Sequence, residues 1–391
     1  MAEATALGQI GRVSKWLALL GAAMLSACQV VPKGAPRPVG PATKPPIQEP
    51  FGQLPTDTQR NRVALLVPLT GPNAGVGESI ANAANMAVLD TGGKTIRMTM
   101  YDTATGAAAA AQKAVAEGNR LILGPLLAED VRSVAPIARA ARVPVISFSN
   151  DVGVAGNGAF VMGFAPAQSI ERIVAYAKSR GATKFAGLVP SGLYGQRAST
   201  AFLRSVEAEG GQVVSLQTFD RSAGSINAAI TRMSNASAYD AVLIADSARV
   251  AVQAAPIIRA RGGSSARLLG TELWNTEKSL ASNPALKGAV FASVSDGVYQ
   301  QLASKYRVRF GKGPYRLSSL GYDAVLLVTR IGTDWKFGGL FPVGRLTDPG
   351  GFTGIDGAFR FGRDGIADRA LEVQQAGPGG FVVLDGAPRG F

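Results

Sequence analysis

The chain has 391 residues, of which 47% are hydrophobic and 17% are charged, so it can build sizeable cores. It has no histidine and one cysteine, which excludes a Ser-His-Asp triad, a cysteine-rich zinc site and an internal disulfide. Its formal net charge is +13, but the basic residues are mostly scattered and no nucleic-acid-binding motif accompanies them. Carboxylate pairs could still catalyse a reaction, although no spacing singles one out. We therefore predict a non-enzyme with no metal, no cofactor and no nucleic-acid partner.

The first 27 residues have the pattern of a secretory signal. Two basic residues precede an apolar stretch at residues 16–27, which is too short to cross a bilayer core of about 30 Å. The stretch ends at Leu25–Cys28, which resembles the bacterial lipobox, where the cysteine thiolate receives a diacylglycerol. We predict a signal peptide at residues 1–27 and a membrane anchor on Cys28. By resemblance to Gram-negative sorting rules, Gln29 favours the periplasmic face of the outer membrane over the inner membrane.

Residues 28–60 are predicted to form an extended tether. Eight prolines stand between positions 32 and 55. Proline lacks a backbone donor and stiffens the chain, so this composition favours a spacer over a domain. At about 3.1 Å per residue, the tether could hold the folded part several nanometres from the lipid surface.

From Arg62 the chain alternates short apolar runs with amphipathic segments, a pattern typical of parallel α/β structure. The run Arg62–Val67 suits a buried strand, and the segment Gly75–Asp90 repeats apolar residues at a spacing of four, as in a helix. The rest of this block predicts strands at Ile96–Tyr101, Arg120–Leu123 and Val143–Ser147, and helices at Gly106–Glu117 and Ala128–Ala141.

The pattern restarts after a break at Asn150–Gly158. The second block even echoes the first, because Leu188–Pro190 repeats Leu66–Pro68 before a glycine-containing loop and a helix. We predict an α/β fold of two Rossmann-like lobes, with parallel sheets that face one another across a cleft. The second block predicts strands at Lys184–Val189, Gln212–Gln217, Ala241–Ala245 and Arg267–Leu269, and helices near Ala167–Arg180, Gly195–Glu209, Ser225–Asn235 and Ser247–Arg261.

The ordered motifs of the chain resemble the type I periplasmic binding proteins. The segment Val63–Pro72, followed by Gly77, looks like the opening of that group, and further motifs follow in order at Leu123–Leu126, Val143–Ser147, Tyr194-Gly195, Gly270–Glu272 and Gly321–Ala324. The resemblance covers roughly residues 62–370. It implies three crossings between lobes, near residues 150–167, 291–296 and 342–355. The implied first lobe is 61–150 plus 296–342, and the second is 167–291 plus 355–391.

Within that group, the chain looks most like the penicillin-binding-protein activator lipoproteins. Gly124–Leu127, the lipobox and the tether carry this likeness. It implies a non-catalytic outer-membrane lipoprotein that binds and regulates a peptidoglycan synthase. The alternative with the same fold is a lipid-anchored solute-binding protein of an ABC importer for branched-chain amino acids or amides. Amino-acid-binding members have a hydroxyl after the Gly-Pro motif, whereas Leu126 and Leu127 stand there in this chain.

The resemblance also implies the residues of a ligand cleft. Ser147 and Ser149 fit a second hydroxyl site, and Tyr194 fits a residue that covers the ligand from the other lobe. In the competing interpretation, the serines cap strand ends and Trp274 packs inside a lobe. The full hypothesis for the cleft, which a small-molecule ligand could occupy, is Ser147, Ser149, Tyr194, Asp246, Glu272 and Trp274.

Two other interpretations are disfavoured. Gly71, Gly75 and Gly77 follow a strand as in a dinucleotide fingerprint, but the third glycine of that motif would fall on Ile80. The basic stretch Lys305–Lys312 is interleaved with apolar residues, which predicts a solvated helix face more than a nucleic-acid stripe.

Overall fold

The computed structural model describes residues 57–276, 279–377 and 380–388. These residues form two mainly parallel sheets and a third, smaller sheet. The predicted α/β fold class with parallel sheets is confirmed. The predicted signal peptide, Cys28 and residues 28–56 of the predicted tether lie outside the described residues.

The first lobe is built around a five-stranded parallel sheet. Its strands run in the order β2-β1-β3-β4-β5, and alternate residues of β1 belong to two cores, one on each face of the sheet. Val63 and Leu65 face one core, and Ala64 and Leu66 face the other. The elements are β1 (Asn61–Val67), α1 (Ala74–Asp90), β2 (Ile96–Asp102), α2 (Ala107–Ala116), β3 (Leu121–Leu123), α3 (Ala128–Ala140), β4 (Val145–Ser147), a 3-10 helix (Val152–Val154) and β5 (Ala159–Val161).

The second lobe contains a seven-stranded sheet. Five of its strands are parallel, and a hairpin of two antiparallel strands completes one edge, in the order β15-β14-β10-β9-β8-β6-β7. Its elements are α4 (Pro166–Ser179), β6 (Lys184–Pro190), α5 (Leu193–Ala208), β7 (Gln212–Phe219), α6 (Ala223–Ala236), β8 (Ala241–Ile244), α7 (Ala248–Ala260), β9 (Arg267–Gly270), 3-10 helices at Glu272–Thr276 and Pro284–Leu286, α8 (Ser279–Ser282), β10 (Val290–Ser293), β14 (Glu372–Gly377) and β15 (Gly380–Asp385).

The chain returns to the first lobe after β10. Tyr299, Leu302 and Tyr306 of α9 pack into the same core as α1, while the basic side chains around them are exposed, as predicted for this stretch. The returning elements are α9 (Gly297–Phe310), α10 (Ser318–Gly332), a 3-10 helix (Val343–Thr347), β11 (Phe352–Gly354), β12 (Gly357–Phe361) and β13 (Ala367–Arg369), of which the three strands form the small antiparallel sheet.

This small sheet differs from the sequence expectation, which placed residues 355–391 in the second lobe. Phe352, Phe359 and Phe361 are buried in the first-lobe core instead. The backbone N–H of Ile355 donates to Asp323 of α10 at 2.6 Å, which ties the hairpin to that helix. The chain therefore rejoins the second lobe only at β14.

Two glycines set the distance between a strand and the helix that follows it. A Cβ atom on Gly77 would lie 1.8 Å from the carbonyl oxygen of Pro68, and one on Gly195 would lie 1.6 Å from that of Pro190. A side chain at either position would collide with the backbone, so α1 and α5 require glycine to pack this closely. The echo between the two sequence blocks thus has a structural basis.

Candidate ligand cleft

Loops at the carboxyl ends of the parallel strands enclose a cavity of about 370 Å³ between the lobes. Eight of the lining side chains are apolar, and both lobes contribute. The lining residues are Asn73, Val76, Leu126, Leu127, Phe148 and Asn150 from the first lobe, Glu272, Leu273, Asn275, Ser293 and Val294 from the second, and Phe164, Arg316 and Leu317 near the crossings.

The loop after β3 supplies two of these apolar side chains. Gly124 has a φ of +87°, and a Cβ there would lie 2.1 Å from the carbonyl oxygen of Leu66, so only glycine fits. The chain then turns through Pro125 and places Leu126 and Leu127 against the cavity. The loop after β3 therefore forms an apolar part of the cavity wall.

A second cavity of about 210 Å³ shares Leu126, Leu127 and Asn150 with the first. Ser149 from the first lobe and Tyr194 from the second both line it. The structure thus brings these two predicted residues to one cavity and Glu272 to the neighbouring one.

The hydroxyls of Ser147 and Ser149 bind the local backbone. Ser147 Oγ donates to the carbonyl of Pro125 at 3.0 Å and accepts from the N–H of Ser149 at 3.0 Å. Ser149 Oγ accepts from the N–H of Asp151 at 3.1 Å. Both serines are buried and organise the turn after β4.

Glu272 and Tyr194 form a partly buried hydrogen-bonded group. Tyr194 Oη donates to one carboxyl oxygen of Glu272 at 3.1 Å and lies 3.1 Å from Thr271 Oγ1, while Ser169 donates to the other carboxyl oxygen. Burial raises the pKa of Glu272, although these hydroxyls oppose the rise. Burial, reinforced by the Glu272 charge, also raises the pKa of Tyr194.

Asp246 and Trp274 do not line either cavity. Asp246 accepts from Arg221 Nε at 2.8 Å and from the N–H of Ser247 at 2.6 Å, and its backbone carbonyl accepts from Trp274 Nε1 at 3.1 Å. Trp274 is fully buried in a second-lobe core beside Phe291. Its place agrees with the competing interpretation, in which this tryptophan packs inside a lobe.

Arg316 is a cavity residue that the sequence did not indicate. Its side chain is 8% exposed, and its Nη1 lies 2.7 Å from Asp356 while its Nε lies 3.5 Å from Asp296. The guanidinium also lies 4.0 Å from the centre of the Tyr299 ring. Arg316 and Phe164 lie near the segments that cross between the lobes, and not in the loops at the carboxyl ends of the strands. A rule based on strand ends could therefore not predict them.

An ion pair joins the lobes beside the smaller cavity. Arg197, in the first turns of α5, lies 3.1 Å from Asp151, and Arg132 of α3 lies 2.6 Å from the other oxygen of the same carboxylate. Asp151 is buried, whereas both arginines are partly exposed. Both oxygens of Asp151 are thus held by charged donors.

Other kinds of site and segment are absent from the parts of the chain that the structure describes. No cluster of three or more acidic, histidine or cysteine side chains there could hold a metal ion. Nor does any helix within those residues have the length and apolarity needed to cross a membrane.

Known proteins resemble this chain in sequence and in fold. An uncharacterized protein of Rickettsia prowazekii is 28% identical over 175 residues, which are 44% of this chain and 47% of that relative, so the match spans about half of the relative's length. A leucine binding protein of Thermotoga maritima has a TM-score of 0.65 at 20% identity, over 84% of this chain and 99% of that one. An ABC transporter solute binding protein of R. palustris, solved with benzoate, has a TM-score of 0.63 at 20% identity, over 84% and 96%. At this identity the structures establish the fold alone.

The family follows from the match to a sequence model described as periplasmic binding protein, which spans residues 61–331. That range covers the two mainly parallel sheets apart from the hairpin of β14 and β15, and it includes every residue proposed for the cleft. Members of this family are periplasmic, non-catalytic solute-binding proteins. The chain belongs to the type I periplasmic binding protein family.

Proposed function

We propose that this protein is the solute-binding component of an ABC importer, which holds a small organic molecule between its lobes. The observation that carries the proposal is the apolar cavity of about 370 Å³, which both lobes line. Its volume lies at the lower end of the range of roughly 300–1,000 Å³ that is usual for ligand pockets, so it suits one small solute.

The named relatives support a ligand of this size. One is a leucine binding protein and another was solved with benzoate, and both ligands combine an apolar body with a small polar head. The cavity in this chain has an apolar surface that suits the apolar body of such a ligand. Phe148, Phe164 and Leu127 are part of that surface. The solutes that we propose are branched-chain amino acids, amides or molecules of similar size and apolarity.

Lipid anchoring through Cys28 is part of the same proposal. A cysteine after a short apolar stretch and before a proline-rich segment fits an acylation site, and acyl chains would hold the protein on the periplasmic face of a membrane. A Cys28→Ser protein should leave the membrane fraction for the soluble periplasmic fraction. Unchanged membrane association of Cys28→Ser would contradict the anchor.

Regulation of a peptidoglycan synthase is the second candidate function. The observation that favours it is Gly124–Leu127, where apolar residues replace the hydroxyl of amino-acid-binding relatives. In this case the partner would bind the outside of a lobe, and the cleft would need no solute.

In-cell crosslinking, affinity capture of the lipidated protein and mass spectrometry distinguish the two functions. Recovery of an importer's membrane subunits is the expected result, because a solute-binding protein must dock on its permease. Recovery of a penicillin-binding protein without importer subunits would favour regulation of a peptidoglycan synthase over solute import.

A further inference from the structure

Two apolar side chains are held out in solvent on the loop that follows α10. Phe337 and Leu340 are each 54% exposed. The base of the loop is fixed, because Trp335 and Phe341 are buried with their ring centres 5.0 Å apart, and Trp335 Nε1 donates to the carbonyl of Gly339 at 3.0 Å. The fold therefore keeps this apolar pair outside the core, as on a surface that contacts another body.

This loop is joined to the first residue of the first-lobe sheet. Asn61 Nδ2 donates to the carbonyl of Trp335 at 3.1 Å, and Asn61 Oδ1 accepts from the N–H of Gly338 at 3.0 Å. The N–H of Asn61 donates to the carbonyl of Thr95, just before β2, at 3.4 Å. The apolar loop therefore lies at the amino ends of the strands, opposite the end that forms the cleft.

Exposed basic side chains precede the strands at the same edge. Lys94 comes before β2, Arg120 before β3 and Arg142 before β4, in a sheet with the strand order β2-β1-β3-β4-β5. Because neighbouring strands lie about 4.8 Å apart, their amino ends form one narrow edge. Lys336, on the apolar loop itself, adds a fourth exposed cation.

The acids that flank these cations in the chain are already matched by other cations. The four ion pairs have separations of 2.6, 3.0, 3.8 and 4.0 Å, and they are Asp57–Arg60, Asp334–Arg345, Asp90–Lys305 and Glu117–Lys113. None of the ion pairs found in the described part of the chain includes Lys94, Arg120, Arg142 or Lys336. This edge therefore carries an excess of positive charge beside two exposed apolar side chains.

An anionic lipid bilayer fits a surface of this composition. Aromatic and aliphatic side chains enter the boundary between head groups and acyl chains, while lysine and arginine attract anionic head groups. The chain also keeps a bilayer close to this edge, because residues 29–60, which link the proposed anchor at Cys28 to β1, can span at most roughly 110 Å. Such a tether raises the local concentration of lipid, so weak contacts suffice for docking.

We infer that this edge of the first lobe docks on the bilayer to which the chain is anchored. The docking face consists of two apolar residues at the head-group boundary and four cations against anionic head groups, namely Phe337, Leu340, Lys94, Arg120, Arg142 and Lys336. In this orientation the cleft lies at the far end of the first lobe from the bilayer. The inference rests on the anchoring part of the proposed function.

A label on the apolar loop tests the inference. The lipidated protein with Phe337→Cys, whose only free thiol is the new one because Cys28 carries the lipid, is labelled with a fluorophore and reconstituted in vesicles of equal parts phosphatidylcholine and phosphatidylglycerol. Nitroxide lipids should quench this label at least about fivefold more strongly than the same label on Leu203→Cys. Leu203 is the matched control, because it is an exposed leucine of the second lobe, on α5.

Removal of two cations should weaken docking. Lys94→Gln together with Lys336→Gln, in the labelled Phe337→Cys protein, should lower the ratio of docked to undocked molecules by about tenfold or more. Arg204→Gln with Arg249→Gln removes the same charge from exposed sites of the second lobe. That control should change the ratio by less than about twofold, because charges beyond the Debye length are screened. Vesicles of phosphatidylcholine alone should weaken docking as well.

Flotation of the vesicles separates the inference from the anchor. Protein that floats with the vesicles but is quenched equally at positions 337 and 203 is anchored and undocked, which would overturn the inference alone. Equal docking on vesicles with and without phosphatidylglycerol would overturn the role of the four cations. Protein that does not float would contradict the anchor and the inference together.

Discussion

At the scale of single residues, a buried carboxyl group joins α10 to the small sheet. Asp323 accepts the backbone N–H groups of Ile355 at 2.6 Å and Asp356 at 3.3 Å. Burial, together with the nearby Asp356 charge, raises the pKa of Asp323 to about 7, against the opposing effect of the backbone donors and Arg369. The side chain therefore holds a proton far above the range of an ordinary aspartate.

This raised pKa predicts a dependence of stability on pH. Between about pH 4 and pH 7 the native state binds more protons at Asp323 than the unfolded chain, so its contribution to the free energy of unfolding falls as pH rises. The loss is at most about 1.4 kcal/mol per pH unit and levels off above pH 7. Asp323→Asn should flatten this slope in urea unfolding at several pH values, whereas Asp364→Asn, at an exposed site, should not. Equal slopes for all three proteins would contradict the assignment.

Part of the predicted residue set lines the two cavities. Of the residues that the resemblance implied, Ser149, Tyr194 and Glu272 do so, in keeping with the rule that ligands meet the carboxyl ends of parallel strands. The same rule could not tell that Trp274 turns inward, because side-chain direction in a 3-10 segment has no sequence signal. Arg316 could not be predicted as a cavity residue, because it lies far along the chain from the strand-end loops and only the folded arrangement places it at the cavity.

At the scale of elements, the two lobes use the same strand-to-helix junction. Pro68 and Gly77 in the first lobe correspond to Pro190 and Gly195 in the second, and in both the helix backbone lies against the proline carbonyl. Close approach of this kind fixes the angle at which each helix leaves its sheet. It also places the first turn of α5, with Tyr194, at the cleft.

A methyl group at this junction should destabilise the fold. Gly195→Ala places a Cβ 1.6 Å from the Pro190 carbonyl oxygen, so the helix must move, at a cost of roughly 1–3 kcal/mol or more. Gly224→Ala in α6 is the matched control, because nothing lies within 4 Å of its Cβ. Helix propensity should make that change neutral or stabilising by up to about 1 kcal/mol. Thermal unfolding of both variants measures the difference, and similar melting temperatures would show that the junction tolerates a side chain.

The long elements and the short buried strands β3 and β4 were predictable from the sequence, whereas three other short strands were not. The buried run at β1 and the spacing in α1 identified both elements to within a residue. By contrast, β5 and the strands β11 and β13 have three residues each, too few for a period to appear. Their positions depend on packing against distant residues, which is why residues 355–369 were assigned to the other lobe.

At the scale of the whole molecule, an ion pair beside the cleft is one of the contacts that join the two lobes. Arg197 of the second lobe binds Asp151 of the first at 3.1 Å. Asp151 is almost fully buried, so its charge is poorly solvated and depends on Arg197 and Arg132. The pair therefore stabilises the arrangement in which the lobes are closed over the smaller cavity.

Removal of Arg197 should shift the lobes towards an open arrangement. For a partly exposed ion pair the contribution is about 1 kcal/mol, or roughly a fivefold change in the ratio of closed to open molecules. Arg197→Met should raise the radius of gyration from small-angle scattering, while Arg204→Met, at an exposed site on the same helix, should not. High salt should reduce the difference between Arg197→Met and the unmodified chain. An unchanged radius in Arg197→Met would contradict a role for this ion pair in the arrangement of the lobes.

The most direct test of solute binding is thermal unfolding of the unmodified chain against a library of small amides, amino acids and aromatic acids. A solute at one hundred times its dissociation constant should stabilise the protein by about 2.7 kcal/mol. Leu127→Trp, which fills the cavity between the lobes, should lose that response. Stabilisation of the unmodified chain alone is the result that the account predicts. A library without a single stabilising solute, or equal stabilisation of Leu127→Trp, would contradict the claim that this cavity binds the ligand.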